Sequence, residues 1–324
     1  MARRLVIGIA LGMAWICAAI GQTAGGFPSK PVRIIVPFAP GGPTDVAARL
    51  IAEKLGARWG QQIVVENRPG AGGNIGSEIA ARSAPDGYTM VLGVTGSHAI
   101  NISLMKQMPY HPLKDFEPVS QATIFPNAIA VHPSVPASNL KELLALAQRQ
   151  PGKLAYGSDG SGTASHLGME LLKSKSGADL THIPYKGAAP MLTELVGGQI
   201  QVGISGLPTM QGHAAAGRIR ILAITTAARV ASNPEIPTVA EQGFAGFAAA
   251  PWAGFFAPRG TPRPIVDRIA ADLIAVMQLP ELRQRMADLG STIVASRPEE
   301  FRAFVETEIR QWAEAVRISG AKAE

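Results

Sequence analysis

Three turns in this 324-residue chain gather the groups that could do chemistry. The first, Pro37–Asp45, reads PFAPGGPTD; the second, Thr95–Asn101, reads TGSHAIN; the third, Gly157–His166, reads GSDGSGTASH. Each combines glycines and hydroxyls with an acid or a histidine. That mixture suits phosphate cradling, nucleophilic catalysis or capture of a small anion by backbone N–H groups. The first two have strict requirements. A phosphate-binding Walker loop needs Gly, four residues, Gly, Lys and then Ser or Thr. Gly157 and Gly162 have that spacing, but Thr163 stands where Lys is required. The dinucleotide pattern G-x-G-x-x-G is missing after the first apolar run, where PGGPTD stands. A serine nucleophile elbow needs G-x-S-x-G. Tyr156 takes the first glycine position around Ser158, and Leu207 takes the last around Ser205. These near misses weigh against an NTPase, a dehydrogenase and a hydrolase. An exported hydrolase using Ser158 or Asp45 with His166 stays as the minor alternative.

The third chemistry needs helix starts. Helix N-termini carry free N–H groups and a partial positive charge, and glycines let a ligand approach the backbone closely. Thr44 and Thr163 suit capping, donation to an anion, or both. Asp45 suits a base, a cation ligand or a brace. His98 and His166 each follow a glycine-rich turn, where a loop brace competes with ligand contact. Lys186, after the run Thr181–Pro184, either balances an anion or is simply solvated. Trp252 either walls a pocket or sits in the core. No pair among the six histidines has the spacing of a helix-borne metal site, and Cys17 is the one cysteine. No metal and no cofactor are expected.

The elements that must hold these turns alternate along the chain. Strands are expected at Val32–Val36, Ile63–Glu66, Thr89–Val94, Ala128–Val131, Leu154–Gly157, Thr181–Pro184, Gln201–Ser205, Ile219–Thr225, Ala253–Ala257 and Thr292–Ala295. Helices are expected at Val46–Leu55, Asn139–Arg149, Ala164–Ser174, Ala189–Val196, Pro264–Met277 and Pro298–Ile318. Short apolar runs joined by helical crossovers imply an α/β protein with parallel sheet. Ligands in such sheets bind outside the carboxyl ends of the strands, where all three turns lie. The proline-rich stretches near Phe125–Pro136 and Asn233–Pro237 are the best places for the chain to cross between two domains.

Composition sets the compartment. Arg3 and Arg4 precede the 16-residue apolar run Leu5–Ile20, and small residues follow. This is a secretory leader over residues 1–24, with cleavage near Gly21 or Ala24. Cys17 falls within it, and Ala14-Trp15-Ile16 lack the small side chains expected before a lipidated cysteine. No later run reaches the roughly 20 apolar residues of a membrane helix. The formal charge is +6, or +4 without the two leader arginines, yet no Lys/Arg cluster or basic–aromatic face appears, which excludes nucleic acid as partner.

The chain resembles the substrate-binding receptors of tripartite tricarboxylate transporters, the Bug-type periplasmic proteins. The matching blocks cover almost all of the mature sequence. They include PSKPVRIIVPFAPGGPTD (Pro28–Asp45), VVENRPGAGGNIG (Val64–Gly76), YGSDGSGTASHLGMELL (Tyr156–Leu172), HIPYKGAAPMLTELVGGQIQV (His182–Val202) and WAGFFAPRGTP (Trp252–Pro262). The resemblance implies a two-lobed periplasmic binding protein of type II, with two crossings between lobes. Lobe 1 would comprise 27–123 and 252–324, and lobe 2 would comprise 124–251. It implies a monomer that captures a small organic acid without turnover and delivers it to the transporter's membrane subunits. A sensory partnership with a membrane receptor is the alternative. The ligand contacts implied are Phe38, Gly41, Gly42, Thr44 and Asp45 in the first turn and Thr95 and Ser97 in the second. The other lobe would supply Ser158, Gly162, Thr163 and His166, with Tyr185 and Ser205 as side walls. Relatives often carry Asp where Ser205 stands. An acid there suits an amino or hydroxyl group, so its absence points to a plain di- or tricarboxylate or an aromatic acid.

Overall fold

The computed structural model describes residues 26–230, 232–319 and 321. The expected leader, with Arg3, Arg4, Cys17 and the cleavage region, lies outside the described residues. The chain opens with β1 (Val32–Val36), α1 (Pro43–Trp59), β2 (Ile63–Asn67), α2 (Asn74–Ala81) and β3 (Thr89–Val94). A π turn, Gly96–Ile100, leads into α3 (Asn101–Leu104) and then β4 (Phe116–Ile124). Next come β5 (Asn127–Val131), α4 (Leu140–Arg149), β6 (Ala155–Ser158), α5 (Ala164–Ser176), β7 (Thr181–Pro184), α6 (Ala188–Val196), β8 (Val202–Gly206), α7 (Leu207–Ala215) and β9 (Arg220–Ile224). The chain closes with β10 (Trp252–Pro258), α8 (Arg263–Met277), α9 (Pro280–Asp288), β11 (Thr292–Ile293) and α10 (Pro298–Ser319).

These strands form two sheets, ordered β11-β4-β10-β3-β1-β2 and β7-β6-β8-β5-β9. The sheets are mixed, which corrects the expectation of purely parallel pairing. β1 lies parallel to β2 and β3, and β6 parallel to β7 and β8. β10 runs antiparallel to β3 and β4, and β5 antiparallel to β8 and β9. The cause is the crossing. β4 ends at Ile124 and β5 begins at Asn127, so only Phe125 and Pro126 intervene. A chain entering the second sheet at its ligand edge must run away from it, opposite to strands built by helical crossovers. β10 does the same on the return.

The return crossing is at Pro251, whose carbonyl accepts the Phe125 N–H at 3.1 Å. The stretch 233–237 stays with the second sheet, where Ile224 N–H donates to Pro237 O. Its prolines mark an ordinary loop.

The nine-residue β4 is the longest strand not foreseen. Pro118 and the polar Ser120, Gln121 and Thr123 hide its strand character. The register to β10 slips where Phe256 pairs with Pro118 and Phe255 with Ser120, a bulge that accommodates the missing N–H. On its other side β4 meets β11 only at Thr123 and Ile124, so no ladder bond is lost at Pro118.

α10 packs between the two units, against α5, β4 and the π turn. Its Phe301 lies edge-on to Trp252 at 5.6 Å and tilted on Phe256 at 4.8 Å. Gly254 leaves room for that ring, since any Cβ there would strike it. Trp252 is core, with its indole N–H donating to Glu308 at 2.7 Å. Replacing Phe301, fully buried, with Ala should cost about 3–5 kcal/mol, because transfer and cavity penalties add. Urea unfolding checks this. A loss below about 1 kcal/mol would mean that the helix does not anchor the core.

Candidate functional site

The first, second and third turns converge between the sheets. Phe38, Gly42, Pro43 and Thr44 come from the first, Thr95 and Gly96 from the second with Val94 at the end of β3 before it, and Asp159, Thr163, Ala164 and Ser165 from the third. Together with Phe125, Asn127, Ala188 and Pro251 they enclose a cavity of about 40 Å³. One water centre needs roughly 10–15 Å³, so the space takes roughly three or four such groups.

Four helical segments begin at this cavity. α1 starts at Gly42, with Pro43 fitting the first turn because its missing N–H has no intrahelical partner there. α5 is capped by Thr163, whose Oγ1 accepts the His166 N–H at 3.3 Å. α6 starts at Gly187, and the π turn starts at Thr95. The first N–H groups of a helix have no internal acceptor and the end carries a partial positive charge. No Lys, Arg or His lines the cavity. Any negative charge held there is met by backbone dipoles.

Of the expected contacts, Phe38, Gly42, Thr44, Thr95 and Thr163 line the cavity. Gly41, Asp45, Ser97, Ser158, Gly162, His166, Tyr185 and Ser205 stand behind or beside it. Asp45 is a brace. Its carboxylate accepts from Gly41 N at 2.9 Å, Arg49 Nε at 3.0 Å and Asn67 Nδ2 at 2.8 Å. Burial opposes its charge, but those three donors hold its pKa below the usual value. Asn67 also donates to Phe38 O, fixing the turn's shape. Ser97 Oγ sits 2.9 Å from His98 Nδ1, and His98 is a core ring stacked on Phe256 at 4.0 Å. Burial pushes the His98 pKa down to about 3, so the ring is neutral.

The third turn is held the same way. Ser158 Oγ lies 2.7 Å from His182 Nε2. His166 Nδ1 accepts the Gly162 N–H at 3.1 Å, and its ring lies flat on His182 at 4.1 Å. Thr163 Oγ1 donates to Gly160 O at 2.7 Å besides capping α5. Tyr185 lines an adjoining recess with Phe38, Asp159 and the exposed Lys186. A catalytic pairing of Ser158 or Asp45 with His166 is not built, since each has another partner.

The main residue missed is Asp159. Burial pushes its carboxyl up to about 7, with the Ser205 and Ser165 hydroxyls drawing it back. Neither Asp159 Oδ1 nor Ser205 Oγ makes a well-formed hydrogen bond, and Asn127 Nδ2 is likewise unpaired. Asp159 thus lies beside Ser205, the position where relatives often carry an acid. The signal was present in the quoted turn, between Ser158 and Gly160, but nothing in the sequence placed its side chain. Asn127 could not be read, because its role depends on where the chain crosses.

The sides of the cleft meet backbone to backbone. A Cβ at Gly96 would lie 2.7 Å from Gly162 O, and one at Gly72 would strike Ser161 O. The two sides meet along this seam, and glycine is required there.

Comparison with known proteins agrees with this architecture. Residues 47–320 match the tripartite tricarboxylate transporter family receptor. The chain belongs to this family. It is 38% identical to protein BugT of Bordetella pertussis, over 98% of this chain and 97% of that one. Among solved structures, R. palustris Rpa4515 with adipate superposes with a TM-score of 0.89 at 36% identity, covering 91% and 99% of the two chains. MatC from Rhodopseudomonas palustris, with bound malate, gives 0.84 at 33% identity, covering 90% and 100%. Family members are receptors and binding proteins, so this chain is a periplasmic-type solute-binding protein and not an enzyme. No helix among the described residues is long and apolar enough to cross a membrane.

Gly96→Ala tests the seam. Alanine suits the local backbone, so the fold should persist while the cleft fails to shut. Small-angle scattering should give a larger radius of gyration than wild type in the presence of saturating dicarboxylate. Equal radii would show that the seam does not limit closure.

Proposed function

We propose that this receptor captures a small organic carboxylate in the cleft, in the periplasm, and presents the closed form to the membrane subunits of a tripartite tricarboxylate-type transporter. The observation that carries the reading is the convergence of four helical N-termini on a cavity with no basic side chain. Such an environment favours negative charge without an arginine clamp. The adipate and malate in similar structures are small organic acids. In this reading the ligand touches Thr44, Thr95, Thr163 and the N–H groups of α1 and α5, with Phe38 as an apolar wall. Asp45, Ser97, Ser158 and His166 act by holding the turns.

The lobes, 27–123 with 252–324 and 124–251, would close about Phe125–Pro126 and Pro251. The ligand favours the closed state by bridging turns from both sides, which is the differential affinity that closure requires.

A thermal-shift panel of mono-, di- and tricarboxylates, with neutral and cationic compounds as controls, tests the assignment. A ligand at 100 times its Kd adds about 2.7 kcal/mol of stability, a shift of several degrees for a protein of this size. Shifts from neutral compounds and from no acid would overturn the reading. Ala164→Glu puts a fixed negative charge at the α5 start and should abolish the shift for every acid. A retained shift would show that α5 does not face the ligand.

A further inference from the structure

Asp159 poses a physical problem for a carboxylate receptor. Its side chain lines the cavity, yet no basic residue lines that cavity to balance it. Its Oδ1 makes no well-formed hydrogen bond. The groups around it can be surveyed element by element. On its own turn and on α5, Ser165 Oγ accepts the Asp159 N–H at 3.1 Å, and His166 Nδ1 is occupied by the Gly162 N–H. Toward β7, His182 is neutral, since burial pushes its pKa down to about 4. Beyond β7, Tyr185 and the exposed Lys186 share the outer recess, and Lys186 is not among the causes acting on Asp159. β8 offers the Ser205 hydroxyl, and β5 the Asn127 amide. Across the cleft, Asp45 is held by Arg49, Asn67 and Gly41, and His98 is a neutral core ring. No fixed cation faces the carboxyl.

A second anion enclosed beside an ionised Asp159 would meet Coulomb repulsion in a medium that screens it poorly. Two carboxyl groups sharing one site relieve that repulsion by sharing a proton. We propose that Asp159 meets the bound acid as a neutral carboxyl group, donating its proton in a hydrogen bond to a ligand carboxylate oxygen, so that the cavity takes up a proton with each anion it captures. The balance is simple: the proton comes from solvent, adds to the Asp159 carboxylate, and returns to solvent when the ligand leaves. The inference rests on the carboxylate reading of this cavity. It agrees with the burial of Asp159 where the two sides meet, which pushes its carboxyl up to about 7.

The sign follows. With the cleft open, water reaches Asp159 and favours its ionised form, so closing over an acid takes a proton from solvent. Each unit of pH makes that uptake harder, and Kd should rise as the pH rises from 5 to 8. Calorimetry with the acid that gives the largest thermal shift, adipate and malate included, reads this directly. Repeating the titration at pH 7 in buffers of different ionisation enthalpy should show net proton uptake on binding. Asp159→Asn should lose proton uptake and pH slope together, because the amide donates without titrating. Asp159→Ala should lose the slope and also bind more weakly at pH 5, where the neutral carboxyl would have donated. Carboxylate binding by wild type with neither uptake nor slope would overturn the proton-sharing role and leave the receptor reading intact. So would proton release on binding, which would mark an ammonium-bearing ligand on an ionised Asp159. Failure of every acid to bind at any pH would overturn both readings.

Discussion

A small anion closed inside a protein loses most of its hydration, and the loss is several kcal/mol unless other dipoles replace the water. The organisation of this receptor follows from meeting that cost without a cation. Replacement dipoles must come from backbone N–H groups, which are free only at helix starts. Helix starts must then be gathered at one point, and strands followed directly by helices gather them at the carboxyl edge of a sheet. Two such edges face one another here, so α1 and the π turn oppose α5 and α6. The two antiparallel entry strands, β5 and β10, are a consequence of having two edges on one chain.

Dipoles are useful only if they are fixed in advance, because reorienting them would return the energy they supply. That explains where the reactive-looking side chains are engaged. Asp45 spends its oxygens on Gly41, Arg49 and Asn67; Thr163 spends its hydroxyl on Gly160 and the α5 cap; His166 receives the Gly162 N–H. Each holds a glycine-containing turn that would otherwise sample many conformations. Residues that resemble a catalytic set are the scaffold of a binding surface made from main chain.

Much of this was legible in the sequence, for identifiable reasons. β1, β3 and β6 are short runs ending in glycine-rich turns, and the helices after β1, β6 and β7 start at Pro43, Thr163 and Gly187, which carry local start signals. The opposition of the first and third turns was legible through resemblance, and not through spacing. β4 was hidden because its core residues are interrupted by Pro118 and by polar groups whose partners lie far away, such as Ser120 bonding to Ser296. The return at Pro251 was legible through resemblance and not through composition: the Phe125–Pro251 hydrogen bond joins positions 126 residues apart, and proline content drew attention to 233–237. Asp159 was read as one letter of a turn. Its significance depends on Ser205 and Asn127, which lie on neighbouring strands of the second sheet.

The seam adds a constraint that dipoles alone do not provide. Closure ends where Gly96 meets Gly162 O and Gly72 meets Ser161 O. Backbone contacts of this kind are stiff, because protein interiors are close-packed and compress little. The closed cavity therefore has a size set by the meeting of the two edges and not by the ligand. An acid too large for it would hold the seam open and forfeit the N–H groups of one side, while an acid too small would reach only one side and favour neither state. In the proposed reading, charge is read by the helix starts, length by the seam, and the state offered to a partner depends on both being satisfied at once.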